Sequence, residues 1–392
     1  MLATRTYAPR FWLLCVGFVI CGIVTVLPGP LLPLLAARWG LPDVQSGGFF
    51  AAEFAASTVG AVFSPWRLHR SLPGGFAFMA AGVALLDVAA AGTNAATGHP
   101  LALMAFALIG FGTGLSVTAT NLTAGAASAG RGRRLSIVNL WWGMGAVACP
   151  WVIAAAERSH RMRPLLLLLA LAALGMFAAF APLLRVPAGP SPRARATASS
   201  QFGTLAFFAL FLFLYVGVEN AVGGWIATYA HRFSGFTLAD SSLTVSIYWM
   251  ALLAGRGLTS LALRKFSESA VLVPGLVLAL AAVAALIQPH ATATVLVAVV
   301  AAGIGFGPVF PLGVARLLAR LSDHRRTGWV FAMCAGGGAV LPWLTGLVST
   351  ASASLRVGFA VPVAALAAIL VLALVENAVL RKPEPAQHPL TP

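Results

Sequence analysis

The sequence predicts an all-α membrane protein, with twelve transmembrane helices arranged in two pseudo-symmetric six-helix bundles. Three observations predict it: an extreme apolar composition, apolar runs of bilayer-crossing length, and an echo of the first half of the chain in the second. Of the 392 residues, 59% are hydrophobic and 9% charged, and the mean hydropathy is +0.91. A soluble domain carries about 25% charged residues, so this chain has too few to cover a water-facing surface. A helix needs about 20 apolar residues to cross the hydrocarbon core, and twelve runs are read as crossings.

Span one (11–36) follows Arg10 and resembles the charged start of a signal peptide. Its apolar run is too long for one, however, and continues through Pro28, Pro30 and Pro33 without a cleavage site, so it is read as a retained helix. Span two (46–65) carries Glu53 within FFAAEFAAS. Span three (73–93) carries Asp87 near its outer end, where a cap or a solvated position is expected. Span four (101–124) contains IGFGTG, and span five (135–156) contains NLWWGMGAVACP. After span six (164–184) comes the longest polar break, RVPAGPSPRARATASSQ, whose Pro, Ser, Ala and Arg content reads as a linker. Span seven (203–229) holds LYVGVENAVGGWIATYA, and span eight (241–263) holds Tyr248, Trp249 and Arg256. Spans nine (270–288) and ten (292–318) follow, the latter with GIGFGP. Span eleven (328–350) contains GGAVLPW, and span twelve (356–378) precedes a short tail. The expected domains are an N-terminal bundle over 1–184, a linker over 185–202 and a C-terminal bundle over 203–392.

A net charge of +15 would point to nucleic acid in a soluble protein, but here its placement decides. With a cytoplasmic N-terminus, 18 of the 25 Lys and Arg residues fall on cytoplasmic segments and 6 on outer ones, while Arg256 lies within a span. Cationic loops stay in the cytoplasm. Both termini are therefore expected there, with the chain in the bacterial cytoplasmic (inner) membrane and no nucleic-acid partner. The segment ERSHRMR (157–163) is the one outer cluster that opposes this. Cys15, Cys21, Cys149 and Cys334 all fall within spans and lack metal-ligand spacing, so their expected role is packing, with no metal and no cofactor. No histidine lies mid-span, which argues against a buried histidine relay.

The second half repeats the first at spacings of 192–195 residues. GAVFSPWRLHR (60–70) answers GRGLTSLALRK (255–265), and IGFGTG (109–114) answers GIGFGP (303–308). GAVACPW (145–151) answers GAVLPW (338–343), and GRGRR (130–134) answers SDHRR (322–326). Any one pair could arise by chance in a Gly/Ala-rich chain, but four in order indicate duplicated halves. Such duplication is a recurring membrane plan with a site at mid-bilayer between the halves.

These spans, the basic linker and the repeat resemble the major facilitator superfamily along essentially the whole chain. More narrowly, YVGVENAVGGW (215–225), Tyr248–Trp249 with Gly255–Arg256, GFGPVFP (305–311), GGAVLPW (337–343) and NLWWGMGAVACP (139–150) resemble its fucose–glucose–galactose permease branch, including sodium-dependent glucose transporter relatives. The resemblance implies transport by alternating access. Two departures stand out. The loop after span two keeps the glycine and the basic residues of the superfamily's GxxxDRxGRR pattern but lacks its aspartate. Spans one and four lack the acids that several proton-coupled members of the branch use.

Glu219 is the leading candidate, because a carboxylate at bilayer depth is costly and is functional by default. It could bind a proton or cation, accept from a sugar hydroxyl, or serve as a structural acid bonded to a neighbouring helix. Asn220 offers amide donors and an acceptor, and Gly223 and Gly224 weaken the helix where backbone groups could be used. Glu53 is the second candidate for ion coupling, or else an outer-gate residue. Trp249, Tyr248 and Trp225 could stack on the apolar face of a pyranose, against an alternative of helix packing or, for Trp225, an interfacial belt. Asn121, Asn139 and Trp142 are candidate contributors from the first half. Arg256 either snorkels or forms an inner-gate ion pair. Phe306 could form a hydrophobic gate, and Gly303, Gly305, Gly307 and Pro308 allow bending and close packing.

No Ser/His/Asp set, phosphate-binding GxxxxGK[ST] loop or Cys/His metal cluster is present in the sequence, so the expected protein is not an enzyme. The expected function is uptake of a neutral monosaccharide coupled to H⁺ or Na⁺, by a monomer in the lipid bilayer. The alternatives are export of an amphipathic compound or drug, or a non-transporting membrane sensor or scaffold.

Overall fold

The computed structural model describes residues 11–92, 94–125, 131–185, 202–288, 291–320 and 327–380. Among them every regular element is a helix. The first group is α1 (Phe11–Thr25), α2 (Pro28–Trp39), α3 (Asp43–Phe63), α4 (Leu68–Ala91), α5 (Ala95–Gly125), α6 (Arg131–Arg158) and α7 (Met162–Phe180). The second is α8 (Phe202–Phe233), α9 (Leu238–Ala262), α10 (Glu268–Ala285), α11 (Thr292–Phe306), α12 (Val309–Arg320), α13 (Thr327–Ser352), α14 (Leu355–Gly358) and α15 (Ala360–Leu380). Eleven stretches of the described residues are long and apolar enough to cross a membrane. One of them, Asp43–Ala91, runs for 49 residues and joins α3 to α4 through a 3-10 turn at Ser64–Arg67. The linker 186–201, Arg325, Arg326 and both chain ends lie outside the described residues.

Three predicted spans are divided in the structure, span twelve only near its start, where Phe359 separates α14 from α15. Span one separates into α1 and α2 at Val26–Leu27, because Pro28 has no N–H and its ring crowds the carbonyl four residues earlier. Span ten separates into α11 and α12 at Gly307–Pro308 for the same reason. By contrast, α8 continues unbroken through Gly223 and Gly224, where the sequence suggested a weakened helix.

The internal echo recurs in the packing. A Cβ on Gly22 of α1 would collide with the Trp142 carbonyl of α6, and one on Gly145 would collide with the Val19 carbonyl. In the second half a Cβ on Gly217 of α8 would sit 2.8 Å from the Gly337 oxygen of α13, and one on Gly337 would meet the Phe213 carbonyl. Likewise Gly75 of α4 faces Gly112 of α5, and Gly275 of α10 faces Gly305 of α11. These backbones approach so closely because glycine has no side chain, which is how helices associate where the solvent is as apolar as they are.

The bundle has two ends, one holding Asp43 and the other Arg316. Helices before residue 186 meet helices after residue 201 along the α2–α8, α2–α9, α3–α13 and α6–α9 seams. At the Asp43 end Arg232 bonds Asp43, Val44 N–H bonds Thr350 Oγ1 at 2.8 Å, and Arg158 pairs with Asp240. Nearer the middle Ser246 donates to the Val147 carbonyl at 2.9 Å, and Phe54 lies against Gly338. At the Arg316 end the ion pairs among the described residues stay within the second half: Arg316 bonds Glu268 and Glu376 at 3.0 Å each, and Arg320 joins Glu376.

Candidate functional site

The middle of α8 presents Tyr215, Glu219 and Gly223 at four-residue spacing, so the three share one face. Glu219 is buried at 8% exposure, and its Oε2 lies 3.9 Å from Nη2 of Arg256 on α9. That distance is the outer limit of an ion pair, so the two charges attract without locking. Arg256 retains a buried Nε that has no hydrogen-bond partner. A Glu–Arg pair at bilayer depth with unspent hydrogen-bonding capacity is able to respond to a polar ligand.

Aromatic rings pack against this stretch of α8. Tyr248 of α9 is fully buried, and its hydroxyl donates to the Glu219 carbonyl at 2.9 Å. Gly223 makes this approach possible, because a Cβ there would lie 2.8 Å from the Tyr248 ring. Tyr215 donates to the Phe306 carbonyl at 3.1 Å, where α11 ends and its last carbonyls lack partners within the helix. Phe306 packs edge-on to both Tyr215 and Tyr248, with ring centroids at 6.0 and 6.1 Å. Trp249 follows Tyr248 at 5.4 Å and meets Trp142 of α6 edge-to-face at 5.7 Å. The ring chain therefore crosses from the second half of the sequence into the first.

The structure thus brings Glu219, Arg256, Tyr248, Trp249, Trp142 and Phe306 together. It adds Tyr215, which the sequence reading passed over although it lies four residues before Glu219. That spacing was the available signal. Asn139 sits one turn before Trp142 on α6 and donates to the Asn121 carboxamide oxygen of α5 at 3.2 Å. Other candidates are engaged elsewhere. Asn220 spends an amide N–H on the Val216 carbonyl of its own helix at 2.8 Å. Trp225 is fully buried in the α8–α13 seam, donates to the Pro342 carbonyl at 2.8 Å, and packs 6.5 Å from Phe50. Gly224 makes room for Phe50, Gly307 for the α9 backbone, and Pro308 lies against Gly275.

Glu53 of α3 stands apart. It is 1% exposed, and neither carboxylate oxygen has a hydrogen-bond partner. Asp43, Asp87, Glu219, Asp240, Glu268 and Glu376 each pair with an arginine. Glu53 has no such pair among the described residues and is buried, which is costly for a charge. The expectation of a solvated Asp87 is corrected: it is 4% exposed and lies 3.4 Å from Arg163. The four cysteines are free and buried, and no group of three metal-ligating side chains occurs among the described residues.

A family model described as the Major Facilitator Superfamily matches residues 14–327. The chain belongs to the Major Facilitator Superfamily. It is accordingly a multi-pass integral membrane protein of the transporter fold. Among solved structures, this facilitator is similar to the E. coli fucose:proton symporter, at 18% identity and a TM-score of 0.61 over 93% of this chain and 98% of that one. It is similar to a D-xylose–proton symporter at 15% identity and a TM-score of 0.73, over 96% and 97% of the two chains. It is also similar to a peptide transporter at 13% identity and a TM-score of 0.75, over 95% and 96%. Likenesses at this level of identity show the fold. No curated protein sequence matches the chain significantly.

Proposed function

We propose that this facilitator takes up a neutral monosaccharide by alternating access, coupled to H⁺ or Na⁺. The observation that carries the reading is the crossing of aromatic rings beside an ion pair at mid-bundle. Trp142 and Trp249 supply apolar faces from the two halves, and Glu219 with Arg256 supplies hydrogen-bonding groups one side chain away, through Tyr248. A pyranose needs both, because its faces are apolar while each buried hydroxyl left unpaired costs about 1–3 kcal/mol. The sugar–proton symport of the fucose and D-xylose transporters agrees with it.

Twelve crossings in two six-helix bundles fit this reading. The 49-residue run from Asp43 to Ala91 would extend about 74 Å as helix, more than twice a ~30 Å hydrocarbon core. Closure along the Asp43 end, which the charge placement assigns to the outer side, corresponds to an inward-facing state. Glu53, buried and unpaired, is the coupling residue of this scheme. Glu219, compensated by Arg256, acts on substrate.

A second reading is export of an amphipathic compound. It is favoured by one observation: the Tyr215 and Tyr248 hydroxyls and one Asn220 amide N–H donate to backbone carbonyls, which leaves a more aromatic than polar lining. Counterflow in proteoliposomes with labelled hexoses, pentoses and amphipathic cations, with and without H⁺ or Na⁺ gradients, separates the two. Sugar counterflow supports uptake. Counterflow of the cations alone supports export.

A further inference from the structure

A cavity of about 500 Å³ lies at the Asp43 end, away from Glu219, where α2, α4 and α6 finish and α7 and α9 begin. We propose that it binds one zwitterionic phospholipid of the phosphoethanolamine type. The volume falls in the range of small-ligand pockets, about 300–1,000 Å³. Its walls are leucines from four helices: Leu34 of α2, Leu86 of α4, Leu166 of α7 and Leu238 of α9. Its charged lining is Arg38, Asp87, Glu157 and Arg163.

The charges select the headgroup. Two guanidiniums and two carboxylates balance, so an anion would face both acids and a cation would face both arginines. A zwitterion can satisfy both signs. Arg38 is held in place by donating to the Gly92 and Ala91 carbonyls at 3.1 and 3.3 Å, the last of these closing α4. The described contact of Arg163 uses Nε, 3.4 Å from buried Asp87, which leaves the other N–H groups of its fork to meet a phosphate. Glu157 carries no ion pair among the described residues, and it is the carboxylate placed to accept from a primary ammonium.

The same surroundings select a lipid over a soluble zwitterion. On α7, Leu167, Leu168 and Leu171 are exposed beside Leu166, so the cavity wall adjoins a face turned to hydrocarbon. The helix ends place the charges at the level of the headgroups, with leucines below them for an acyl chain. Because Leu238 belongs to α9, the site is complete only while α9 lies against α6 and α2, so an occupant would favour that closure.

The test is thermal unfolding of the full chain in detergent with added short-chain phospholipids, alongside native mass spectrometry for stoichiometry. Dihexanoyl phosphatidylethanolamine is expected to raise the unfolding temperature by about 3 °C or more and to be retained as a single copy. The phosphatidylcholine analogue, whose methylated ammonium cannot donate to Glu157, and the anionic phosphatidylglycerol analogue should raise it less. Leu34→Trp, which fills the cavity, and Glu157→Gln, a conservative change at a partly exposed position, should each abolish the difference. Equal responses to all three lipids, or an ethanolamine preference that survives Glu157→Gln, would overturn the proposal. A shift produced equally by tail-free phosphoethanolamine would replace the lipid with a soluble zwitterion and overturn it as well.

Discussion

Arg232 grips Asp43 with both arms of its guanidinium, at 2.7 and 2.6 Å, and Ser349 donates to the same carboxylate at 2.5 Å. One buried aspartate on α3 thereby ties down α8 and α13, across the seam between residues before 186 and residues after 201. The fork-to-carboxylate geometry is the strongest form of side-chain hydrogen bonding. Arg158 and Asp240 make a second pair across the α6–α9 seam at the same end.

This arrangement predicts that Arg232→Ala loosens the Asp43 end. Hydrogen bonds to charged groups contribute about 1.5–3 kcal/mol, so the ratio of closed to open forms should fall about tenfold or more. Cysteines placed at Val44 and Thr350 of a Cys-free version should cross-link readily, and several-fold more slowly once Arg232→Ala is added. An unchanged cross-linking rate would show that the pair does not hold this end shut.

Coupling and recognition are predicted to separate between the two buried glutamates. Glu53→Gln removes a carboxylate that no arginine compensates, so the variant should exchange labelled substrate yet fail to accumulate it against an imposed H⁺ or Na⁺ gradient. Glu219→Gln leaves Arg256 without its partner, at 30% side-chain exposure and largely within the bundle. Its exchange should fall strongly, and Glu219→Gln combined with Arg256→Gln should recover part of the loss. Full accumulation by Glu53→Gln in proteoliposomes would return the coupling role to Glu219.

The aromatic crossing predicts a pattern across sugars. Either indole would offer an apolar face that all hexoses share, so Trp249→Ala and Trp142→Ala should each weaken every bound hexose by up to about tenfold. Asn220→Ala should change affinity by less than about threefold, because one Asn220 amide N–H is held by the Val216 carbonyl of its own helix. Competition binding with deoxy sugars measures both. A large, hydroxyl-specific effect at Asn220 would mean that its amide is released from α8 when substrate binds.

Neighbouring glycines should differ sharply in tolerance. A Cβ on Gly75 would lie 2.6 Å from the Gly112 carbonyl oxygen, whereas one on Gly74 would meet nothing within 4 Å. Gly75→Ala should therefore cost about 1–3 kcal/mol through overpacking, seen as a lower unfolding temperature in detergent. Gly74→Ala should be neutral or slightly stabilising, since alanine is the better helix former. Gly275→Ala, at the corresponding place in the second half, should behave like Gly75→Ala.

The amino-acid sequence by itself determined that the chain is a helical membrane protein with an echoed second half. Those properties are written in local runs: apolar length sets the crossings, and similar residues recur 192–195 positions later. It also singled out Glu219 and Glu53, because an acid in an apolar run is conspicuous wherever the run lies in space. Only the tertiary structure decided which side chains meet. Trp225 and Trp249 look equivalent along the chain, yet one is closed into the α8–α13 seam by Pro342 while the other faces Trp142 across α6 and α9. Arg256 could snorkel or pair, and the answer depended on how near Gly255 lets α9 approach α11 and on where that leaves α8. The Asp43–Arg232 link joins residues 189 positions apart, and the cavity beside Asp87 gathers residues from five helices. Such contacts are set by backbone approach between distant helices, which glycine pairs permit and no local pattern reports.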